Sequence, residues 1–160
     1  MHGHRFPRAF AISLVALFLS TAASAQLGAA GRCSAGAIAG KWSFTSEGFV
    51  VGIGPVAAVA RFTIDASGNI SGGQTRSLNG DVAEETFTGT LPINADCTGE
   101  ATVQVFQDGN LVRTTTLHIV FDDNERSARG IFTSLVLPDG TTLPTIITLE
   151  GTRLFVHDDD

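Results

Sequence analysis

The sequence predicts an all-β protein, an eight-stranded antiparallel up-and-down barrel, with a two-sheet β-sandwich as the alternative. From residue 40 onward the apolar residues alternate with a period of two, and no segment shows a helical stripe. Turn signals such as Asn79-Gly80 and Asp108-Gly109 recur between these segments, and such pairs tolerate the positive φ of tight hairpins. Evenly spaced hairpins are typical of a meander, and eight strands can close without leaving an edge.

The strands follow from the turn signals, taken in order. The first opens with Gly40-Lys41-Trp42, the last carries Arg153, and the longest break runs from Glu47 to Pro55, where glycine and proline are frequent. Residues 26–39, small and polar, are predicted as an arm before the single barrel domain of residues 40–157. The predicted strands are 40–46, 56–65, 69–77, 82–93, 99–107, 110–121, 127–137 and 143–156.

Residues 1–25 have the layout of a secretory signal peptide. A short basic start with Arg5 and Arg8 precedes an apolar run, and Ala23-Ser24-Ala25 supplies small residues where signal peptidase cuts. A membrane anchor is the alternative, but the apolar run is short for a bilayer. We therefore expect cleavage after Ala25, a secreted or periplasmic protein, and no stable membrane span afterwards.

The mature chain is acidic. Without the leader it keeps eight Lys and Arg against 16 Asp and Glu, a formal charge of −8, and residues 158–160 form an acidic tail. Such a chain is poorly suited to nucleic acid, whose phosphates would repel it. No nucleic-acid partner and no cofactor are expected.

Two cysteines remain after export, Cys33 and Cys97. An oxidising compartment makes a disulfide the expected state, with two free buried thiols as the alternative. Two cysteines without a nearby histidine do not make a zinc site, so no metal is expected.

Gly40-x-Trp42 on the first strand, with Arg153 on the last, resembles the calycin pattern of lipocalins and their relatives. Asp65-Ala66-Ser67-Gly68-Asn69 and Asp96-Cys97-Thr98-Gly99 resemble segments of small secreted bacterial barrels, which are often compared with lipocalins or the allene-oxide-cyclase barrel. The resemblance implies that Arg153 packs across Trp42 and closes one end of the barrel.

Strand alternation predicts which side chains enter the lumen. The apolar inward set is Trp42, Phe44, Phe62, Ile64, Ile70, Leu78, Phe87, Leu91, Ile93, Val103, Val105, Leu117, Ile119, Phe121, Ile131, Leu135, Ile147, Leu149 and Phe155. The polar inward set is Gln74, Arg76, Glu85, Gln107, Arg113, Thr115, Thr133, Thr145 and Arg153. Because successive strands reverse, the end that holds Trp42 is predicted to be apolar and the opposite end polar. A bulge within a strand would invert part of this assignment.

Three of the inward residues, Arg76, Glu85 and Arg113, make the clearest chemical candidate. Charges inside a barrel are costly unless they are paired or hydrated. The group is predicted to clamp the head of an amphipathic ligand or to act as the acid/base pair of an isomerase. The alternative is a salt bridge at the rim of the open mouth. His118, the one histidine within a predicted strand, falls on the outward face, so no catalytic set is assigned.

Three functions are compatible with the sequence. The favoured one is binding of a small hydrophobic or amphipathic molecule in the lumen. The others are a cyclase- or isomerase-type enzyme, which is the less favoured, and a structural protein whose own side chains fill the barrel. The predicted ligand-binding residues are Arg76, Glu85, Arg113, Phe62, Leu117, Ile119, Phe121 and Leu149.

Overall fold

A computed structural model describes residues 33–122 and 125–154. Its strands are β1 (Gly40–Val50), β2 (Gly54–Ile64), β3 (Asn69–Leu78), β4 (Asp81–Thr90), β5 (Thr98–Gln107), β6 (Asn110–Phe121), β7 (Ser127–Val136) and β8 (Thr145–Arg153). Each strand pairs antiparallel with its chain neighbour, and β8 returns to β1. The predicted closed up-and-down barrel is confirmed, and the sandwich alternative is wrong.

The largest boundary error lies at the first hairpin. β1 continues to Val50 and β2 begins at Gly54, so three residues form the turn where a nine-residue break was predicted. Three glycines and a proline in this segment suggested a loop, but the β1–β2 register holds as far as Val50 and Gly54. Strand pairing here overrides the local composition.

A short helix, α1 (Ala35–Ile38), closes the lower end of the barrel, defined as the end that holds Trp42. Ser34 caps the helix by accepting a hydrogen bond from the backbone N–H of Ala37. Ile38 is fully buried and packs into the main core cluster. The predicted arm thus contains a helix that sequence periodicity missed, because four residues are too few to show a helical stripe.

The Cys33–Cys97 disulfide ties the segment that begins α1, called the plug below, to the loop before β5, and it confirms the predicted disulfide. It joins residues 64 positions apart, with the two Cα atoms at 5.0 Å. Disulfides of this kind indicate an oxidising, extracytoplasmic environment.

One register shift changes which side chains of β7 face inward. Thr116 pairs with Ser134 but Leu117 pairs with Phe132, so Thr133 is the extra residue of a bulge. Ile131 is consequently 47% exposed and Thr133 is also exposed. The inward assignment of both residues is wrong.

The outer face otherwise follows the predicted alternation. His118 is exposed and lies 2.6 Å from Glu100 on the neighbouring strand.

No helix within the described ranges is long and apolar enough to cross a bilayer. The predicted signal peptide, residues 26–32 of the arm, Phe155 and the acidic tail lie outside the described residues.

Candidate functional site: a polar wall in the barrel lumen

The lumen contains a cavity of about 330 Å³. Its lining is mostly apolar and comes from all eight strands. The lining includes every residue predicted to bind a ligand: Arg76, Glu85, Arg113, Phe62, Leu117, Ile119, Phe121 and Leu149. A volume of this size falls at the small end of ligand pockets, so the lumen can hold one small molecule.

Glu85 is the centre of a polar group on one wall of this cavity. Arg113 holds it with both terminal nitrogens, Nη1 to Oε1 at 2.8 Å and Nη2 to Oε2 at 2.7 Å. Arg76 Nε donates to Oε1 at 2.9 Å, and Gln74 Nε2 donates to Oε2 at 2.6 Å. We call Gln74, Arg76, Glu85 and Arg113 the polar wall.

Strand register explains how these residues meet. Gln74 and Glu85 are direct cross-strand partners in β3 and β4, and Arg76 lies two residues beyond Gln74 on the same inward face. Arg113 arrives from β6, where it pairs with Val105 of the intervening strand β5. The Arg113 side chain reaches across β5 to Glu85 on β4.

The polar wall is enclosed. The Glu85 side chain is 1% exposed, against 11% for Arg76 and 16% for Arg113. A rim salt bridge would be well solvated and would contribute about 0–1 kcal/mol. The predicted rim alternative therefore does not describe this group, which is a desolvated network whose members depend on one another.

Electrostatics keep Glu85 ionised. Burial opposes its ionisation, but the hydrogen bonds and charge of Arg113, with hydrogen bonds from Gln74 and Arg76, outweigh burial and lower the pKa to about 2. The carboxylate already accepts four hydrogen bonds, which is about its full capacity. A group so occupied and so acidic is a poor general base at neutral pH.

An aromatic cluster lies next to the polar wall. Phe44, Phe62 and Phe87 pack with ring centroids 5.8–6.1 Å apart. Gly72 pairs with both Phe62 and Phe87, and a Cβ at this position would collide with Phe62. Glycine in β3 therefore leaves room for the close approach of Phe62 on β2.

The lumen was predicted to be apolar in its lower half and polar in its upper half. The structure agrees with this prediction only in the lower half. The lower end is apolar, with Trp42, Ile64 and Leu91 almost fully buried. At the upper end, however, the cavity lining includes Val50, Ile53, Val56, Leu78 and Leu143. Leu78 follows Arg76 by two residues on a strand that runs upward, so the polar wall lies below an apolar rim.

The apolar rim was missed because part of it fell in a predicted loop. Val50 and Ile53 belong to the segment read as a break, and Ile53 both lines the cavity and is 45% exposed. Phe132 and Val112 also line the cavity. Phe132 lies beside a register shift in β7, and Val112 lies at a register shift in β6. Strand alternation alone does not predict such shifts.

Other predicted inward polar residues divide between the cavity and its surroundings. Gln107 and Thr115 line the cavity, and the Thr115 hydroxyl donates to the Val103 carbonyl at 3.5 Å. Thr145 is half-buried at the start of β8 and is not part of the lining.

At the lower end Arg153 is the cross-strand partner of Trp42. Its guanidinium donates to the carbonyls of Ala37, at 3.0 Å, and Ala39. A Cβ on Gly40, whose φ is +143°, would lie 3.3 Å from Arg153 Nε, so glycine leaves room for the arginine. Arg153 thus anchors the end of α1, and its packing across the indole face stays a prediction.

These features define a closed eight-stranded antiparallel barrel with a cavity in its lumen. No protein-family model and no curated protein matches the chain. Among solved structures it is similar to the S-type phycobiliprotein lyase CPES from Guillardia theta, with TM-score 0.46 and 11% identity over 79% of this chain and 96% of that one. It is also similar to Rv2717c from M. tuberculosis, with TM-score 0.41 and 12% identity over 74% of this chain and 94% of that one.

Proposed function

We propose that this protein binds one small, mostly apolar molecule in its barrel lumen. The observation that carries the proposal is the cavity of about 330 Å³, whose apolar lining is interrupted by one enclosed polar wall. A lumen filled by its own side chains, as the structural alternative requires, would leave no such space.

Burial of the ligand's carbon atoms would supply most of the affinity. Each methylene moved from water into an apolar site contributes about 0.8 kcal/mol. Since every 1.4 kcal/mol changes the dissociation constant about tenfold, a chain of eight to ten carbons is expected to bind with a dissociation constant of roughly 1–20 μM.

The enzymatic alternative has less support. A cyclase or isomerase of the type considered would use Glu85 as its acid or base, and the four hydrogen bonds to Glu85 leave it no position to exchange a proton with a substrate. We therefore favour binding over catalysis.

We further propose that the chain is exported to the periplasm or the exterior after removal of residues 1–25. The disulfide supports this proposal. The N-terminal sequence of the mature protein recovered from its host tests it, with Gln26 expected as the first residue.

The proposed binding site is tested by filling it. Ala58 is buried and lines the cavity opposite Arg76 on the neighbouring strand, whereas Ala57 is exposed on the outer face. Calorimetric titration with decanoic acid and decanol should show saturable binding of at least one of them to the wild type and to Ala57→Phe. Ala58→Phe should lose most of that affinity. Equal binding by both phenylalanine variants would place the ligand outside the lumen and contradict the proposal.

A further inference from the structure

The polar wall contains one positive charge more than it contains negative charges. Two guanidinium groups, of Arg76 and Arg113, face a single carboxylate, that of Glu85. Among the described residues, Asp81 is the other acid near them, with its Oδ2 3.7 Å from Arg76 Nη2, but its side chain is 82% exposed. A solvated carboxylate at that distance compensates a buried charge weakly.

The two arginines differ in how fully they are used. Arg113 is committed to Glu85 through both terminal nitrogens in a two-pronged contact. Arg76 contacts Glu85 through Nε alone, and its Nη1 is buried without a hydrogen-bond partner within the described ranges. An unpaired donor on a buried cation is destabilising, because the N–H group has lost its hydrogen bonds to water and has no acceptor in the protein to replace them.

From this imbalance we infer that the ligand is a monoanion, an apolar body with one acidic group that is held by Arg76. The inference rests on the proposed function and deepens it. One negative charge matches the single uncompensated positive charge of the polar wall, and its oxygen atoms supply the acceptor that Nη1 lacks. Because Nη1 is buried, the guanidinium must turn slightly toward the cavity to meet the ligand.

The roles within the polar wall follow from the contacts. Arg76 binds the acidic group, whereas Arg113 and Gln74 position Glu85, which in turn holds Arg76 through its Nε. This differs from the expectation that both arginines meet the ligand. A dianion would leave one charge unmatched in a desolvated site, and a cation would be repelled, so both bind more weakly than a monoanion.

Matched pairs of ligands test the inference. Octanoic and decanoic acids are compared with octanol and decanol by calorimetry at neutral pH, where the acids are ionised. A charge-assisted hydrogen bond predicts roughly a 10- to 100-fold preference for each acid over its alcohol. In Arg76→Gln, which leaves Glu85 paired with Arg113, that preference should disappear while alcohol binding persists.

The control is Arg61→Gln, which removes one arginine from the exposed outer face of β2 and should keep the wild-type preference. A second measurement needs no variant: the affinity of the wild type for the acids should fall as the pH drops through the ligand's own pKa, while alcohol binding stays level. Equal affinity for acid and alcohol, or an unchanged preference in Arg76→Gln, would overturn the inference and leave the proposed function intact. Failure of acids and alcohols alike to bind would overturn both.

Discussion

The indole N–H of Trp42 donates a hydrogen bond to the backbone carbonyl of Ile38 at 2.9 Å. This bond joins the first strand of the barrel to the last residue of the plug helix α1, and it satisfies a donor that is almost fully buried. The disulfide fastens the start of the plug and Arg153 its end. The lower end of the lumen is therefore closed by three separate attachments.

The disulfide is expected to stabilise the protein substantially. A closed loop of 64 residues corresponds to roughly 4 kcal/mol in the chain-entropy description. The double variant Cys33→Ser with Cys97→Ser should lose about 2–5 kcal/mol in the free energy of unfolding measured with urea. Reductant should lower the stability of the wild type and leave the double variant unchanged. Two alkylatable thiols in the native wild type would contradict the assignment.

Arg153→Ala should loosen the plug. It removes donors to the carbonyls of Ala37 and Ala39, and hydrogen bonds from charged groups contribute about 1.5–3 kcal/mol each when desolvated. Because Arg153 is half-buried, we expect a total loss of about 1–3 kcal/mol and a red shift of Trp42 emission. Arg61→Ala, on the outer face, is the control. An unchanged spectrum and melting temperature in Arg153→Ala would show that the arginine does not hold α1.

Glu85 should make the protein sensitive to acid. Its folded pKa of about 2 lies below the ordinary value of 4.5, so its contribution to stability is present above pH 4.5 and is lost as the pH falls toward 2. The shift corresponds to roughly 3 kcal/mol. Denaturant titrations between pH 4.5 and pH 2 measure how the free energy of unfolding changes with pH. For the wild type this free energy should fall as the pH is lowered.

Glu85→Gln tests the same prediction from the other side. It leaves two buried arginines without a counter-ion, so we expect a loss of about 3–5 kcal/mol at neutral pH and a weaker dependence on acid. The neighbouring Glu84→Gln is the matched control, because Glu84 is exposed and hydrogen-bonded to Thr75 on the outer face. An equal effect of the two substitutions would mean that Glu85 is not the buried centre of the network.

Ala58→Phe should be tolerated if the lumen is open. In a filled core an added ring costs about 1–3 kcal/mol through overpacking. In the cavity the ring enters free space, so the free energy of unfolding should stay within about 0.5 kcal/mol of Ala57→Phe or rise above it. Marked destabilisation of Ala58→Phe alone would indicate a packed lumen.

The topology and the membership of the polar wall could be predicted because they depend on one simple period. Gln74 and Arg76 share the inward parity of β3, and Glu85 shares that of β4, so alternation alone assigns them to the lumen. The turn pairs Asn79-Gly80 and Asp108-Gly109 carry the positive φ that tight turns need, and the predicted strand ends beside them agree with the structure to within one residue.

The remaining features depend on interactions that leave no local signal. The bulge at Thr133 inverts the lower half of β7 and brings Phe132 into the cavity in place of Ile131. Helix α1 is stabilised by packing of Ile38 at the lower end of the barrel. Such a tertiary contact leaves no sequence pattern in a helix of four residues. The different contacts that Arg76 and Arg113 make with Glu85 could not be predicted from the sequence, because they depend on interatomic distances.

The most direct test of lumen binding is a crystal structure of the mature protein soaked with decanoic acid. Binding in the lumen predicts electron density for one acyl chain inside the barrel, against Phe62 and Leu149, with its carboxylate hydrogen-bonded to a turned Arg76 side chain. An empty lumen at saturating ligand, or density confined to the outer surface, would contradict it.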